Sequence, residues 1–197
     1  MIIEDLLLSF GAEIKDYKAN EIIFREGESA IYYFQVLKGK IKLNNYSEDG
    51  KEFIQNIFSD GQSFGESIIF IDRPYPMNAV TIGGCKIIRL TKSNFLNLIK
   101  RNPEVSINIY QCLAERMYYK YIMLYNLSFQ NPATKIKLLL DYLKSYHENK
   151  NSYSFQVPLT RQQLASLTGL RVETVIRTIK NMEKNKIVKI ENRKILY

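Results

Sequence analysis

The 197-residue chain has one histidine, two cysteines and no apolar run long enough to cross a bilayer. Each scarcity removes a class of function. With His147 alone, one chain cannot assemble a zinc site or a histidine-based catalytic triad, which excludes most hydrolytic mechanisms. Cys85 and Cys112 are too few for a disulfide framework or a four-cysteine iron–sulfur site, and read as buried, reduced thiols. No stretch approaches the ~20 apolar residues of a membrane span. The opening MIIEDLLLSF lacks a basic leader and a small-residue cleavage site, so it reads as an amphipathic first helix. The expectation is a cytoplasmic protein with no membrane partner. No nucleophile–base pair or metal constellation is visible, so neither an enzyme nor a cofactor is expected.

Positive charge is present but unevenly placed. The formal total is +8. From Asn131 onward there are 13 Lys/Arg against 5 Asp/Glu, whereas residues 1–130 hold 15 of each. The whole excess therefore belongs to the last third. A local basic excess attracts a polyanion, because each neutralised phosphate releases condensed counterions. By charge alone a merely solvated basic surface fits equally well.

Three periodicities divide the chain. From about Glu21 to Leu90 short alternating runs are broken by turns: EIIFREGE, YYFQVLKGKIKLNNY, EFIQNIFSDGQSFGE and AVTIGGCKIIRL. Gly39, Gly50 and Gly61 recur at intervals of 11, with Gly27 one position off the series. Asp49-Gly50 is a strong hairpin signal, since Gly accepts the positive φ of such turns. Regular turns of this kind predict a compact antiparallel barrel or roll. After Asn102-Pro103 the pattern turns helical, with Ile107, Tyr110, Leu113, Met117, Tyr121, Leu124 and Leu127 spaced by three and four. A helix of that length (~36 Å) could pack on the roll or form a coiled-coil dimer seam, and its position between two domains favours the seam. A further helix follows Asn131-Pro132. The division expected is 1–101 as the roll with its first helix, 102–130 as the long helix and 131–197 as the third region.

The third region carries a helix-turn-helix pattern. Thr160-Arg161-Gln162-Gln163 has the form of a capping box. Leu164 and Leu167 face a core, and Ala165 is small where a second helix must cross. Gly169 sits in the turn, and Val175 lies ten residues beyond Ala165. In the second helix, roughly Arg171–Lys184, Val175, Ile179 and Met182 mark a buried face. Glu173 and Arg177, four apart, project together from the other side. A carboxylate can accept from cytosine N4, and a guanidinium can grip guanine O6 and N7. An i,i+4 ion pair on a solvated face is the competing reading, but the basic helix-turn-helix frame favours base readout. Thr160, Arg161, Gln162, Arg171, Thr174 and Lys180 stand where side chains could hold phosphates. KIVKIENRKILY then makes a β-hairpin wing, with Arg193 and Lys194 available to the backbone of double-stranded DNA.

On GESAIYYFQVLKGKIKL, DGQSFGES and LTRQQLASLTGLRVETVIRTIKNMEK, the sequence resembles the CRP/FNR family of bacterial transcription regulators over nearly its whole length. The resemblance implies an α+β fold: a cyclic-nucleotide-binding-like, jelly-roll-like β-roll, a long dimerisation helix and a winged helix-turn-helix. It also implies a homodimer on a two-fold symmetric operator with a GA/TC-containing core, working with RNA polymerase. The V-E-T-V-x-R run is most similar to the FNR branch and carries Glu173 and Arg177 onto the family's base-reading positions, with Val172 beside them. Ile176 departs from the Ser usual in that branch, and Val172 lacks the Arg of the CRP branch. Tyr110, Leu113, Met117, Tyr121 and Leu124 are the expected dimer-helix residues.

The resemblance is less complete in the sensor. Gly65-Glu66-Ser67 matches the pair that holds the ribose and phosphate in cAMP-binding members. Met77 of Tyr75-Pro76-Met77-Asn78-Ala79 stands where their phosphate-binding Arg would be. Burying a phosphate without its guanidinium costs several kcal/mol, which argues against cAMP. Gly65, Glu66, Ser67, Met77 and Asn78 then mark either a pocket for an unknown small-molecule effector or a turn kept for its structure. The clustered cysteines of FNR-type oxygen sensing are absent, and His147 lies outside the roll, where it could not serve a haem there. A nucleotide-sensing module acting on a protein partner is the alternative function, and the basic C-terminal third argues against it.

Overall fold

A computed structural model of the protein describes residues 2–197. Two compact units divide between Met117 and Tyr118, and no helix among the described residues is long and apolar enough to cross a membrane.

The first unit begins with α1 (Glu4–Ser9) and β1 (Glu13–Tyr17), then β2 (Ile22–Phe24), β3 (Tyr32–Lys38), β4 (Ile41–Tyr46), β5 (Glu52–Phe58) and β6 (Ser63–Phe64). A short α2 (Glu66–Ile69) precedes β7 (Asn78–Thr81), β8 (Cys85–Thr91), α3 (Lys92–Arg101) and the start of α4 (Pro103–Ser128). The strands form two four-stranded antiparallel sheets, ordered β1-β8-β3-β6 and β2-β7-β4-β5. Strand β3 is buried from Tyr33 to Val36, so its two faces meet different partners. Phe34 points into the roll against Phe24 and Phe64, at ring distances of 5.7 and 5.2 Å. On the other face Tyr33 stacks on Phe95 of α3 at 4.5 Å. Gln35, on that same face, is satisfied by Ile2: its Nε2 donates to the carbonyl (3.0 Å), and its Oε1 accepts from the amide (3.3 Å).

The expected roll is present, and its turns fall at the spaced glycines. Gly50 closes the β4–β5 hairpin at φ +76°. Gly39 has the tightest position, at φ +107°, where a Cβ would lie 2.7 Å from both the Gly84 carbonyl and the Cys85 sulfur. Two elements lie outside those anticipated. β1 is an edge strand whose first four residues are exposed, so no core-facing alternation marks it. Helix α3 is capped by Thr91, whose hydroxyl accepts from the Asn94 amide (3.4 Å). It buries Phe95 and Leu98, a spacing legible in the sequence.

The second unit takes the remainder of α4, then α5 (Pro132–Ser145), α6 (Arg161–Thr168), α7 (Val172–Lys184) and the hairpin β9 (Lys189–Glu191) with β10 (Lys194–Leu196). Asn131 caps α5 through Oδ1, which accepts from the Ala133 amide at 2.8 Å, and Pro132 follows in the first turn as expected. Ile136, Leu140, Leu164, Val175, Ile179 and Ile195 are fully buried here. Asn126 near the end of α4 is also buried, and donates to the Lys135 carbonyl at 2.7 Å. Tyr119 meets the Tyr142 ring at 5.1 Å. Burial raises the Tyr119 phenol above its ordinary pKa.

Helix α4 has contrasting sides. Val105 and Ile109 join the core of the roll, and Leu113 packs half-buried against it. Ile107, Tyr110, Met117, Tyr121 and Leu124 are each at least half exposed, the last at 69%. With Ala114 they follow a three–four spacing along one stripe, so Ala114 takes the place expected of Leu113.

Candidate nucleic-acid interface and the roll interior

The interface is built from α6 outward. Both arms of the capping box form: the Thr160 hydroxyl accepts from the Gln163 amide (3.1 Å), and Gln163 Oε1 accepts from the Thr160 amide (2.8 Å). Gly169 ends the helix at φ +71°, a left-handed conformation that a side chain would strain, and so turns the chain into α7. Buried Ala165 and Val175 sit in the helix–helix core, as their spacing predicts.

Helix α7 starts one residue after Arg171, which is its N-cap. Val175, Ile179 and Met182 are at most 2% exposed, leaving the opposite face to charge. Glu173, Ile176, Arg177, Lys180, Asn181 and Lys184 line an open groove of about 860 Å³, with Asn131–Ala133 on its other side. Glu173 and Arg177 are both exposed, and among the described residues no ion pair joins them. The competing i,i+4 ion pair is thus absent, and both head groups are free to meet a ligand. Val172 and Thr174 are half-buried, whereas Gln162, Arg171 and Lys180 are exposed. Arg161 has a structural task as well: its Nη1 donates to the Arg193 carbonyl (2.6 Å), fastening α6 to the wing. The wing turns on Asn192 and Arg193, at φ +47° and +65°, and leaves Arg193 and Lys194 exposed. Glu183 accepts from the Ile190 amide at 3.0 Å and fixes where the wing begins. Asn181 and Lys184 were not among the expected interface residues, although one helical turn carries Arg177 and Lys180 onto the same face.

In the roll, most of the residues expected to surround an effector are engaged by other parts of the protein. Gly65 is the N-cap of α2 at φ +78°, where a Cβ would lie 3.3 Å from the Tyr75 ring. Glu66 is 1% exposed and ion-paired to Arg116 of α4. Arg116 also donates from Nη2 to the Ser63 carbonyl (2.5 Å) and hydroxyl (3.0 Å). Its guanidinium lies 5.2 Å from the Phe58 ring centre. Burial lowers the Arg116 pKa to about 10, so the group stays charged at neutral pH. Ser67 faces solvent, and Met77 is buried in the apolar core. Asn78 ties strands together, accepting from the Glu26 amide (3.1 Å) and donating to the Asn44 carbonyl (3.2 Å). The cavity beside Glu66, lined also by Tyr33, Ser63, Ile109 and Cys112, measures about 10 Å³. That is the lower limit for a single water. Phe24 and Tyr75 stack at 3.7 Å, and with Phe34, Phe58 and Phe64 they fill the space between the sheets. The Glu66 carboxylate is thus engaged by Arg116, and Met77 brings an apolar side chain, not a guanidinium, to this end of the roll.

A β-roll joined through a long helix to a basic winged helix-turn-helix defines a class, the two-domain DNA-binding regulators. Residues 14–102 match the cyclic nucleotide-binding domain, and residues 136–197 match the Crp-like helix-turn-helix domain. The chain belongs to the CRP/FNR family of transcription regulators and is not an enzyme. It is 28% identical over 182 residues to the cAMP-activated global transcriptional regulator CRP of Haemophilus influenzae, covering 91% of this chain and 81% of that one. Among solved structures it is similar to the c-di-GMP responsive regulator CLP of Xanthomonas campestris, with a TM-score of 0.78 at 20% identity over 98% and 96% of the two chains. FixK2 of Bradyrhizobium japonicum has a TM-score of 0.77 at 20% identity, over 94% of this chain and 91% of that one.

Proposed function

We propose that this regulator acts as a homodimer on a two-fold symmetric operator, reading base edges through Glu173 and Arg177 and working without cAMP. The observation that carries the reading is the Glu173–Arg177 pair: exposed, not paired to each other, and set on the polar face of a helix in the basic unit. In a major groove that face presents a carboxylate to cytosine and a bidentate donor to guanine, with Val172 beside them. Thr160, Gln162, Arg171, Thr174, Lys180 and Arg193 then hold phosphates and set the register, and Arg161 positions the wing that carries Arg193. The exposed stripe on α4 supports the homodimer, because an apolar row of this length in water calls for a second helix. RNA polymerase is the further partner. Against cAMP stand the engaged Glu66, the missing guanidinium at Met77 and the ring-filled interior. An effector held by Glu66 must first open the Glu66–Arg116 pair.

Operator selection followed by affinity measurement tests the proposal. Arg177→Ala should lose about 1–3 kcal/mol at the selected site and relax its choice of guanine. Equal affinity and selectivity in the variant would end the base-reading assignment.

A further inference from the structure

One side chain in the recognition groove has no place in the polar chemistry assigned so far. Ile176 is 40% exposed, although the buried face of α7 is already complete with Val175, Ile179 and Met182 at 0, 1 and 2%. It is the one large apolar side chain of this helix left in solvent. It stands three residues after Glu173, beside Arg177 and four residues before Lys180, and lines the same groove as all three. Core packing therefore does not account for it.

Base edges in a major groove display several donors and acceptors, but one apolar group, the C5-methyl of thymine. We infer that Ile176 is a specificity-determining residue that selects thymine, through this methyl, at a base pair next to those read by Glu173 and Arg177. The inference rests on the base-reading proposal above. The branched side chain has a stiff χ1 and presents its methyl groups in a fixed direction, so contact removes apolar surface on both sides from water. A cytosine at that position lacks the methyl and carries its N4 amine where thymine has O4, so Ile176 would lose its apolar contact and stand beside a donor it cannot satisfy. Guanine and adenine offer only polar atoms there.

The test is selection from random double-stranded DNA with the full chain and with Ile176→Ala and Ile176→Val. The parent should select a two-fold site with an invariant thymine beside the Glu173- and Arg177-dependent positions. Ile176→Ala should keep those positions and lose the thymine, while Ile176→Val retains it. Replacing that thymine by deoxyuridine, which deletes only the methyl, should weaken the parent by about fourfold per half-site and leave Ile176→Ala unchanged. If Ile176→Ala selects the same site with the same thymine, or deoxyuridine binds the parent as well as thymine, the inference is overturned while base reading survives. If the parent selects no sequence, the base-reading proposal falls and takes this inference with it.

Discussion

The roll and the winged helix-turn-helix each contain a carboxylate expected to meet a ligand, and the two have opposite surroundings. Glu173 and Arg177 stand exposed on α7 with no ion pair between them. Glu66 is buried, with its charge met by Arg116 from 50 residues further along the chain. Both carboxylates rest on motifs of the same family, so the motif alone does not fix the surroundings of its carboxylate. What separates them is desolvation. A carboxylate in water keeps its full capacity for a ligand, whereas one enclosed by protein must be compensated from within.

Three experiments would break or sharpen this contrast. The largest effect is expected from Arg116→Ala, which leaves Glu66 buried without its counter-charge. Denaturant unfolding should show a loss of about 3–5 kcal/mol, partly recovered by adding Glu66→Gln. An unchanged midpoint would mean that Glu66 reaches solvent and that the roll is open. A smaller effect is expected at the interface. Lys180→Ala and Arg193→Ala should each reduce the slope of log affinity against log salt by about 1, with sequence preference kept. A change of preference instead would move either residue from phosphate holding to base reading. The smallest expected effect is none at all. Adding cAMP should leave the thermal midpoint of the chain in place, whereas a ligand at a hundredfold over its Kd would stabilise by ~2.7 kcal/mol. A clear upward shift would show that the aromatic interior yields to a nucleotide.

The recognition unit was legible because its signals are local. The capping box at Thr160, the turn at Gly169 and the apolar spacing of Val175, Ile179 and Met182 each involve residues within two helical turns, and all form as expected. The hairpin at Gly50 was legible for the same reason. Edge strand β1 was not, because four exposed residues leave no alternation to detect. Along α4 the periodicity marked a stripe but could not choose between neighbours. Leu113 and Ala114 both fit the spacing, and packing against the roll took the larger one. Met77 lies in the apolar core, and nothing near Glu66 in sequence announced Arg116.

By itself, then, the sequence determined the family, the order of roll, long helix and winged helix-turn-helix, and the polar face that α7 turns to solvent. Those follow from turn chemistry and hydrophobic period, which act over a few residues. Tertiary structure alone decided that the roll is filled by Phe24, Phe34, Phe58, Phe64 and Tyr75, that Glu66 is engaged by Arg116, and that Ile176 is left over from the core. Each of these depends on which distant side chains meet in a close-packed interior, and volume and charge compensation there have no short-range signature.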